Sequence, residues 1–451
     1  MATTILWFRR DLRLSDHPAL VEAVQAAGSN GEVVALFCVD ERLWGPAGDN
    51  RRAFLVGCLH ALNETIGGRL VVRAGDPVVV VPAIAAEVEA SRVFVTADFA
   101  PYGTERDDRV GHALADAGRG LVRVDSPYAV EPGTVVNGSG QPYKVFTPYS
   151  KAWRARGWPT SVSAPRSVRW AALWSDGWPE AEASAAVQPE PGEAAAKRAA
   201  RQFYDRHLEH YDEQRNAPGA DATSRLSPYL KWGCIHPRQL LQRLGTSPAE
   251  QTFRSELCWR EFYADVLHHR PDTVRHAFNP AMAAMEVDDV GTDSMFEAWC
   301  GGHTGYPIVD AGMRQLVAEG FMHNRVRMLV ASFLVKDLHL DWTRGARFFM
   351  EHLVDGDIAS NQHGWQWVAG TGTDASPYFR IFNPTTQGER FDPDGTYVRR
   401  WVPELEGVTD RYVHRPWDDP AGAPPAYRAP IVDHAEERQE ALRRYAAVRG
   451  Q

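Results

Sequence analysis

The sequence predicts a two-part fold, α/β followed by all-α, and three observations predict it. Residues 1 to about 130 alternate short β-rich runs with Ala-rich helical segments. Residues 159 to 200 are rich in Ala, Pro, Ser and Glu and lose any sustained period. Beyond residue 200, apolar residues recur at three- and four-residue spacing and β-like alternation disappears. A chain of 451 residues is also too long for one ordinary core. The expected parts are an α/β domain over 1–130, a connector over 131–199 and a helical domain over 200–451.

The first part reads strand by strand as TTILWF (3–8), VVALFCV (33–39), LVVRAG (70–75), VFVTA (93–97) and LVRVD (121–125), with helical segments such as HPALVEAVQAA and DPVVVVPAIAAEVEA between them. Strands that are almost wholly apolar and spaced by one helix each argue a parallel, Rossmann-like sheet covered on both faces. Ligands of such sheets sit beyond the strand carboxyl ends, here WFRRDLR (7–13) and FCVDERLWG (37–45). No Gly-rich fingerprint follows the first strand, which excludes a conventional dinucleotide site there. The connector should turn helical at EAAAKRAARQFYDRHLEHY. QTFRSELCWREFYADVLHH (251–269) and the stretch from Val309 to Leu340 carry the helical period.

Composition narrows the function. The chain holds 15 Trp against 14 Tyr and 18 Phe, a load that suits ring stacking as well as core filling. A net charge of -9 argues against general coating by nucleic acid, yet residues 221–280 hold eight Arg or Lys and six Asp or Glu, so a local basic face is compatible with it. The five cysteines (38, 58, 234, 258, 300) show no close pair and no metal spacing, the pattern of reduced thiols in a cytoplasmic protein without a metal site. The apolar run at the N-terminus is too short for a signal peptide, and none approaches a membrane span.

Several segments carry more chemistry than a core needs. DGDIASNQHGWQWVAGTGTDASPYFR (355–380) sets two indoles two residues apart among amides and acids, which serves either a loop packed by its Trp rings or a pocket for a flat heteroaromatic ligand. RSELCWREFY puts Glu256, Trp259 and Arg260 on adjacent helical turns, as a surface ion pair with a buried Trp or as part of a site. In FMHNRVRMLVASF, Asn324, Arg327 and Met328 share a face, with Asp355 or Asp357 available as partners. YDEQR (211–215) and TSRLSPYLKWG (223–233) bring donors suited to phosphate oxygens, although Ser and Thr ahead of a helix are mostly caps.

Together with WFRRDLRLSDHPAL (7–20), YKVFTPYSKAW (143–153), TGYPIVDAGMRQL (304–316) and MHNRVRMLVASFLVKDL (322–338), these segments resemble the photolyase/cryptochrome flavoprotein family, nearest its class I cyclobutane pyrimidine dimer photolyases. The resemblance implies a folded FAD held by Tyr211, Thr223, Ser224, Arg225, Leu226, Ser227 and Arg260. Arg327 and Asp355 would pair beside its ring system, with Asp357 at the polar edge and Asn361 at N5. It implies a lesion pocket of Glu256, Trp259, Asn324, Met328 and Trp367, and phosphate contacts from Arg215, Arg325 and Arg380. The implied activity is light-dependent repair of cyclobutane pyrimidine dimers in UV-damaged DNA, by electron transfer from excited reduced FAD to the flipped-out dimer.

A pocket specific for (6-4) photoproducts would hold His where this chain has Asn324 and Met328. The alternative within the family is a cryptochrome-type blue-light signalling protein, against which stand the complete lesion set and the absence of a long extension after the helical part. An electron relay matches Trp365 and Trp342, but residues 281–295, where the outermost Trp belongs, hold none, and Trp299 is the nearest in sequence. TADFAPYGTERD (96–107) is similar to the 8-hydroxy-5-deazaflavin antenna form, with methenyltetrahydrofolate the alternative. Asp98 would meet that antenna unless the stretch is a surface loop with a Pro-Tyr-Gly turn. Arg51 and Arg52 would face its tail or be solvent-exposed cations opening a helix. A monomer is expected.

Overall fold

In a computed structural model the described residues are 2–182, 184, 186–288, 291–373 and 379–449. Residues 374–378 of the 355–380 segment, and Asp289 and Val290 within 281–295, lie outside them. The chain divides into two compact units. Unit one comprises Met1–Ser184, Gln188–Arg206 and Ser224–Pro271, and unit two the remainder.

Unit one is built on five parallel strands, β1 (Thr3–Phe8), β2 (Glu32–Val39), β3 (Leu70–Ala74), β4 (Arg92–Thr96) and β5 (Gly120–Val124), in the order β3-β2-β1-β4-β5. Each predicted run is a strand to within a residue at either end. The reason is that Ile5, Trp7, Val34, Leu36, Val71, Val93 and Val95 are buried on one face and Leu6, Phe8, Val33, Ala35, Phe37, Val72 and Phe94 on the other, so neither sheet face offers a place for polar alternation. The order reverses direction between β1 and β4, and ligand crevices form beyond the carboxyl ends at such a point. One segment departs from expectation. Pro101 begins the helix Pro101–Asp116, so Pro-Tyr-Gly is a first helical turn and not a surface loop. A proline costs nothing at that position, because its missing N–H has no partner there in any case.

The connector contributes the helix Glu193–Arg206. Its first residue reaches back to the segment after β1, where the Glu193 carboxylate accepts from Leu14 N at 2.7 Å and Ser15 N at 3.2 Å.

Unit two is helical. Pro307–Glu319 and Asn324–Lys336 are separate helices because Gly320, at φ 60°, closes the first in the left-handed region that only glycine enters freely. Trp342–His352 and Ile358–Ala369 pack with them around Trp299, Val326, Val330, Phe349 and Trp365, all buried. Burying each large apolar side chain contributes roughly 1.5–3 kcal/mol. Gly345 permits one close approach, since a Cβ there would stand 2.2 Å from Trp365 Cη2. No helix among the described residues is long and apolar enough to cross a membrane.

Candidate functional site

In unit one the helix Pro248–His269 carries three of the candidate residues. It opens on a reciprocal cap, Glu250 N donating to Ser247 Oγ at 3.3 Å and Ser247 N to Glu250 Oε2 at 3.0 Å. Phe253, Leu257, Cys258 and Phe262 are buried on one side, while Glu256, Trp259 and Arg260 are half-buried. The Trp259 ring lies flat on Phe146, centroids 3.7 Å apart and 6° from parallel. That stack covers one indole face. Arg260 donates to the carbonyls of Pro127 at 3.3 Å and Leu230 at 3.2 Å and lies over Tyr128, so part of its guanidinium already serves the backbone.

Two acids of this helix are wholly buried, Glu261 at 1% and Asp265 at 0% exposed, and sequence reasoning passed over both; Glu261 makes the larger set of contacts. It accepts from Ala129 N (2.6 Å), Val130 N (3.0 Å) and Trp153 Nε1 (2.6 Å). Burial pushes its carboxyl up although these three donors pull it down. The signal was present in the sequence, since an acid three and four residues past Cys258 and Leu257 falls on the buried stripe. One turn further, Asp265 accepts from Gly133 N at 2.7 Å. Among the phosphate-grip candidates of this unit, Ser224 Oγ accepts from Leu226 N at 3.4 Å, Leu226 is buried ahead of the helix Ser227–Trp232, and Arg225 holds φ 47°. A side chain in that left-handed region stores strain, which functional loops concentrate.

At the β1/β4 switch point Arg9, Arg10, Thr96, Ala97, Asp98 and Pro127 line a small crevice. Asp98 pairs with Arg106 at 3.3 Å and accepts from Ala100 N at 3.2 Å. Burial opposes its charge, but Arg106, Arg10 and Arg9 hold its carboxyl below the usual range. The picture of Arg51 and Arg52 as solvent-exposed cations is corrected. Arg51 is 7% exposed, and Arg52 is half-buried against Trp44, donating to Trp44 O at 3.0 Å. The helix Asp49–Thr65 turns its first turn inward here, which a local charge pattern does not reveal. Cys58 and Cys234, 176 residues apart in the sequence, bring their Sγ atoms to 3.6 Å inside this unit without forming a disulfide. Both are free thiols.

In unit two, Arg327 Nη2 lies 3.2 Å from Asp355 Oδ2, and Arg327 Nε donates to Met322 O at 2.8 Å. Asp355 Oδ1 and Thr223 Oγ1 are buried and have no hydrogen-bond partner among the described residues. A buried polar atom left in that state costs about 1–3 kcal/mol, so both fit a ligand that brings hydrogen-bonding groups, as FAD does. Tyr211 is buried beneath Arg215. Asp357 caps the helix Ile358–Ala369 by accepting from Ser360 N at 3.2 Å, and Asn361 Nδ2 donates to Ala346 O at 3.1 Å and to Gln362 Oε1 at 2.8 Å.

Asn324 opens the helix Asn324–Lys336 and is exposed, whereas Met328 and Trp367 are half-buried against the apolar core. Next to Asn324, Arg325 Nη2 donates to Asn216 Oδ1 at 2.7 Å and its guanidinium covers Phe391, while Nε has no partner. Burial, and the charges of Arg215, Arg390 and Arg380 around it, press Arg325 below its ordinary range. Four guanidiniums from sequence-distant segments therefore converge. Arg390 was missed because nothing local in NPTTQGERF marks it.

The relay needs one correction. Trp299 is 0% exposed, with Nε1 donating to Val330 O at 3.0 Å, so it is no surface exit. Its ring instead stands 6.1 Å from that of Trp365. Sequence proximity to a missing Trp carries no information on depth, and Trp299 is the core residue of its helix, Asp293–Cys300. Trp342, also buried, begins the helix whose Gly345 touches Trp365.

The fold and these groups define a two-part chain with polar sites suited to a flavin, and comparison with known proteins makes the family plain. Residues 4–166 match the family model described as DNA photolyase, and residues 253–447 match that of the FAD binding domain of DNA photolyase. A deoxyribodipyrimidine photo-lyase of Streptomyces griseus is 42% identical over 455 residues, covering 97% of this chain and 98% of that one. A class III photolyase structure from Agrobacterium tumefaciens superposes with a TM-score of 0.89 at 39% identity, over 100% of this chain and 98% of that one. A Synechocystis cryptochrome structure does so with 0.86 at 27%, over 98% and 99%. The chain belongs to the photolyase/cryptochrome family, and deoxyribodipyrimidine photo-lyase is the enzyme class of its curated relatives.

Proposed function

We propose that this protein repairs cyclobutane pyrimidine dimers in UV-damaged DNA by light-driven electron transfer. The observation that carries the reading is the exposed Asn324 at a helix start next to Arg325, whose guanidinium covers Phe391 and feels the charges of Arg215, Arg390 and Arg380. Such a cluster meets phosphates and positions a duplex without reading sequence. Bound FAD, reduced and excited, supplies the electron. Thr223 and Tyr211 in unit two, and Ser224–Ser227 in unit one, would hold its phosphates and ribityl chain. Arg327 and Asp355 would flank its ring system, with Asp357 and Asn361 on its polar atoms. Asn324 would take the amide edge of the flipped bases, Met328 and Trp367 would supply apolar wall, and the uncovered face of Trp259 would stack on them. Glu256 would stabilise the charge that develops on the dimer.

The class I placement read from the lesion residues is part of the proposal, set beside a class III photolyase that is similar over the whole chain. Asp98 and the crevice at the β1/β4 switch point would take a deazaflavin-type antenna, their arginines facing its acidic tail. The test is loss of thymine dimers from duplex DNA on illumination with the chemically reduced protein. No light-dependent loss rejects repair and leaves the signalling reading, which the similarity to a cryptochrome structure favours. Repair of (6-4) photoproducts instead rejects the roles given to Asn324 and Met328.

A further inference from the structure

The helix that begins with Asn324 and Arg325 ends on a lysine buried to 3% exposure. Lys336 Nζ donates to the carbonyl of Arg380 and lies 4.2 Å from the centroid of Phe379, whose other contact is a parallel stack on Tyr445 at 4.4 Å. One turn earlier on the same helix face, buried Ser332 places Oγ 3.5 Å from Phe382 N. Residues 379–382 lie in no helix or strand, so these side chains take the place of a regular ladder for that segment.

We propose that Lys336, assisted by Ser332, is a positioning residue that seats the Arg380 segment so that its guanidinium can contact DNA phosphate. This rests on the DNA-binding reading above. The argument is one of geometry and cost. A buried amine must have an acceptor, and among the described residues this one finds it in the main chain of the very arginine whose charge acts on Arg325. A Met at the same place would pack as well and would spare the desolvation, yet would leave the 380 carbonyl without its donor. Among the described residues the charged groups acting on Lys336 are Asp337, which caps its helix, and Arg380 on the segment it holds. Tyr445 reaches that segment from the helix His434–Arg449, where His434 is bonded to Asp337. Burial pushes Lys336 down to about 7. An amine donates in either protonation state, so the tether persists across that pH.

The test is equilibrium binding of the flavin-loaded full chain to duplex DNA, with and without a thymine dimer, at several salt concentrations. Lys336→Met, Arg380→Ala and the double variant are compared. Loss of one phosphate contact lowers the slope of log affinity against log salt by about 0.9. The expected result is that Lys336→Met and Arg380→Ala each lose about that much, with a several-fold weaker Kd, and that the double variant loses no more than either. A slope change in Arg380→Ala alone, or additive losses in the double variant, overturns the tether and leaves the DNA face standing. No change in either single variant removes Arg380 from the face and the tether with it. Circular dichroism and flavin absorbance check folding. If Lys336→Met does not fold, Ser332→Ala carries the same comparison, with a smaller slope loss that must vanish in the Arg380→Ala background.

Discussion

The helices Pro248–His269 and Asn324–Lys336 carry most of the candidate lesion residues, and they solve one problem with opposite charges. Each turns polar groups toward a half-buried or exposed face, and each hides a charged residue on the other side to hold an irregular neighbour. Glu261 gathers three donors from residues 129, 130 and 153, whereas Lys336 gives to the single carbonyl of residue 380. A carboxylate has several lone pairs to share and can integrate two chain segments at once; an ammonium that finds one acceptor anchors one segment. The first arrangement is structural cement for unit one, and the second adjusts a surface.

The largest expected effect follows from that asymmetry. Glu261→Ala strands two buried backbone N–H groups and an indole N–H, and should destabilise the protein by about 3–5 kcal/mol, read as a lower urea midpoint, with Glu261→Gln recovering part. An unchanged midpoint for the Ala variant would make the two helices equivalent. On the functional face of the same helix, Glu256→Ala should cut the dimer-splitting quantum yield several-fold with flavin content intact. Transient absorption showing an unchanged yield would remove Glu256 from the mechanism.

On the second helix the effects are spread over pH and salt. Folding lowers Lys336 from 10.5 to about 7, so between those values the unfolded chain binds the extra proton. Stability should therefore rise with pH from about 7 to 10, by at most roughly 1.4 kcal/mol per pH unit. Thermal melts of Lys336→Met across that range should lose this component of the slope, and a slope equal to that of the unmodified protein would contradict a buried, depressed lysine. The smallest effect is that of Arg325→Ala, a few-fold loss of affinity, equal for damaged and undamaged duplex, with a salt slope lower by about 0.9. A loss confined to damaged DNA would make Arg325 a lesion contact and not a phosphate contact.

These contrasts show what a sequence can disclose. All five strands were legible, because a sheet buried on both faces writes itself as continuous apolar runs. The helices of unit two were legible from their period, and the need of Arg327 for a partner narrowed it to Asp355 or Asp357, between which only the resemblance chose Asp355. Depth was not legible. Arg51, Trp299 and the Cys58–Cys234 pair are placed by contacts across 100 residues or more, or by which way one helical turn faces, and neither leaves a local mark. Glu261 lies between these cases, since its position on an apolar stripe announced a buried acid while its three donors belong to residues more than a hundred positions earlier.

The interleaving of the two units bears on how the chain comes into being. Unit one takes its last piece from Ser224–Pro271, and the acid that binds residues 129, 130 and 153 together lies in that piece. At translation rates of about 5–20 residues per second, the sheet waits roughly five to thirty seconds after residue 130 is made before Glu261 exists. Until then the donors of Ala129, Val130 and Trp153 have only water or a chaperone to meet. A released chain truncated just before residue 261 should accordingly be far more open to protease in the 126–156 region than the full chain.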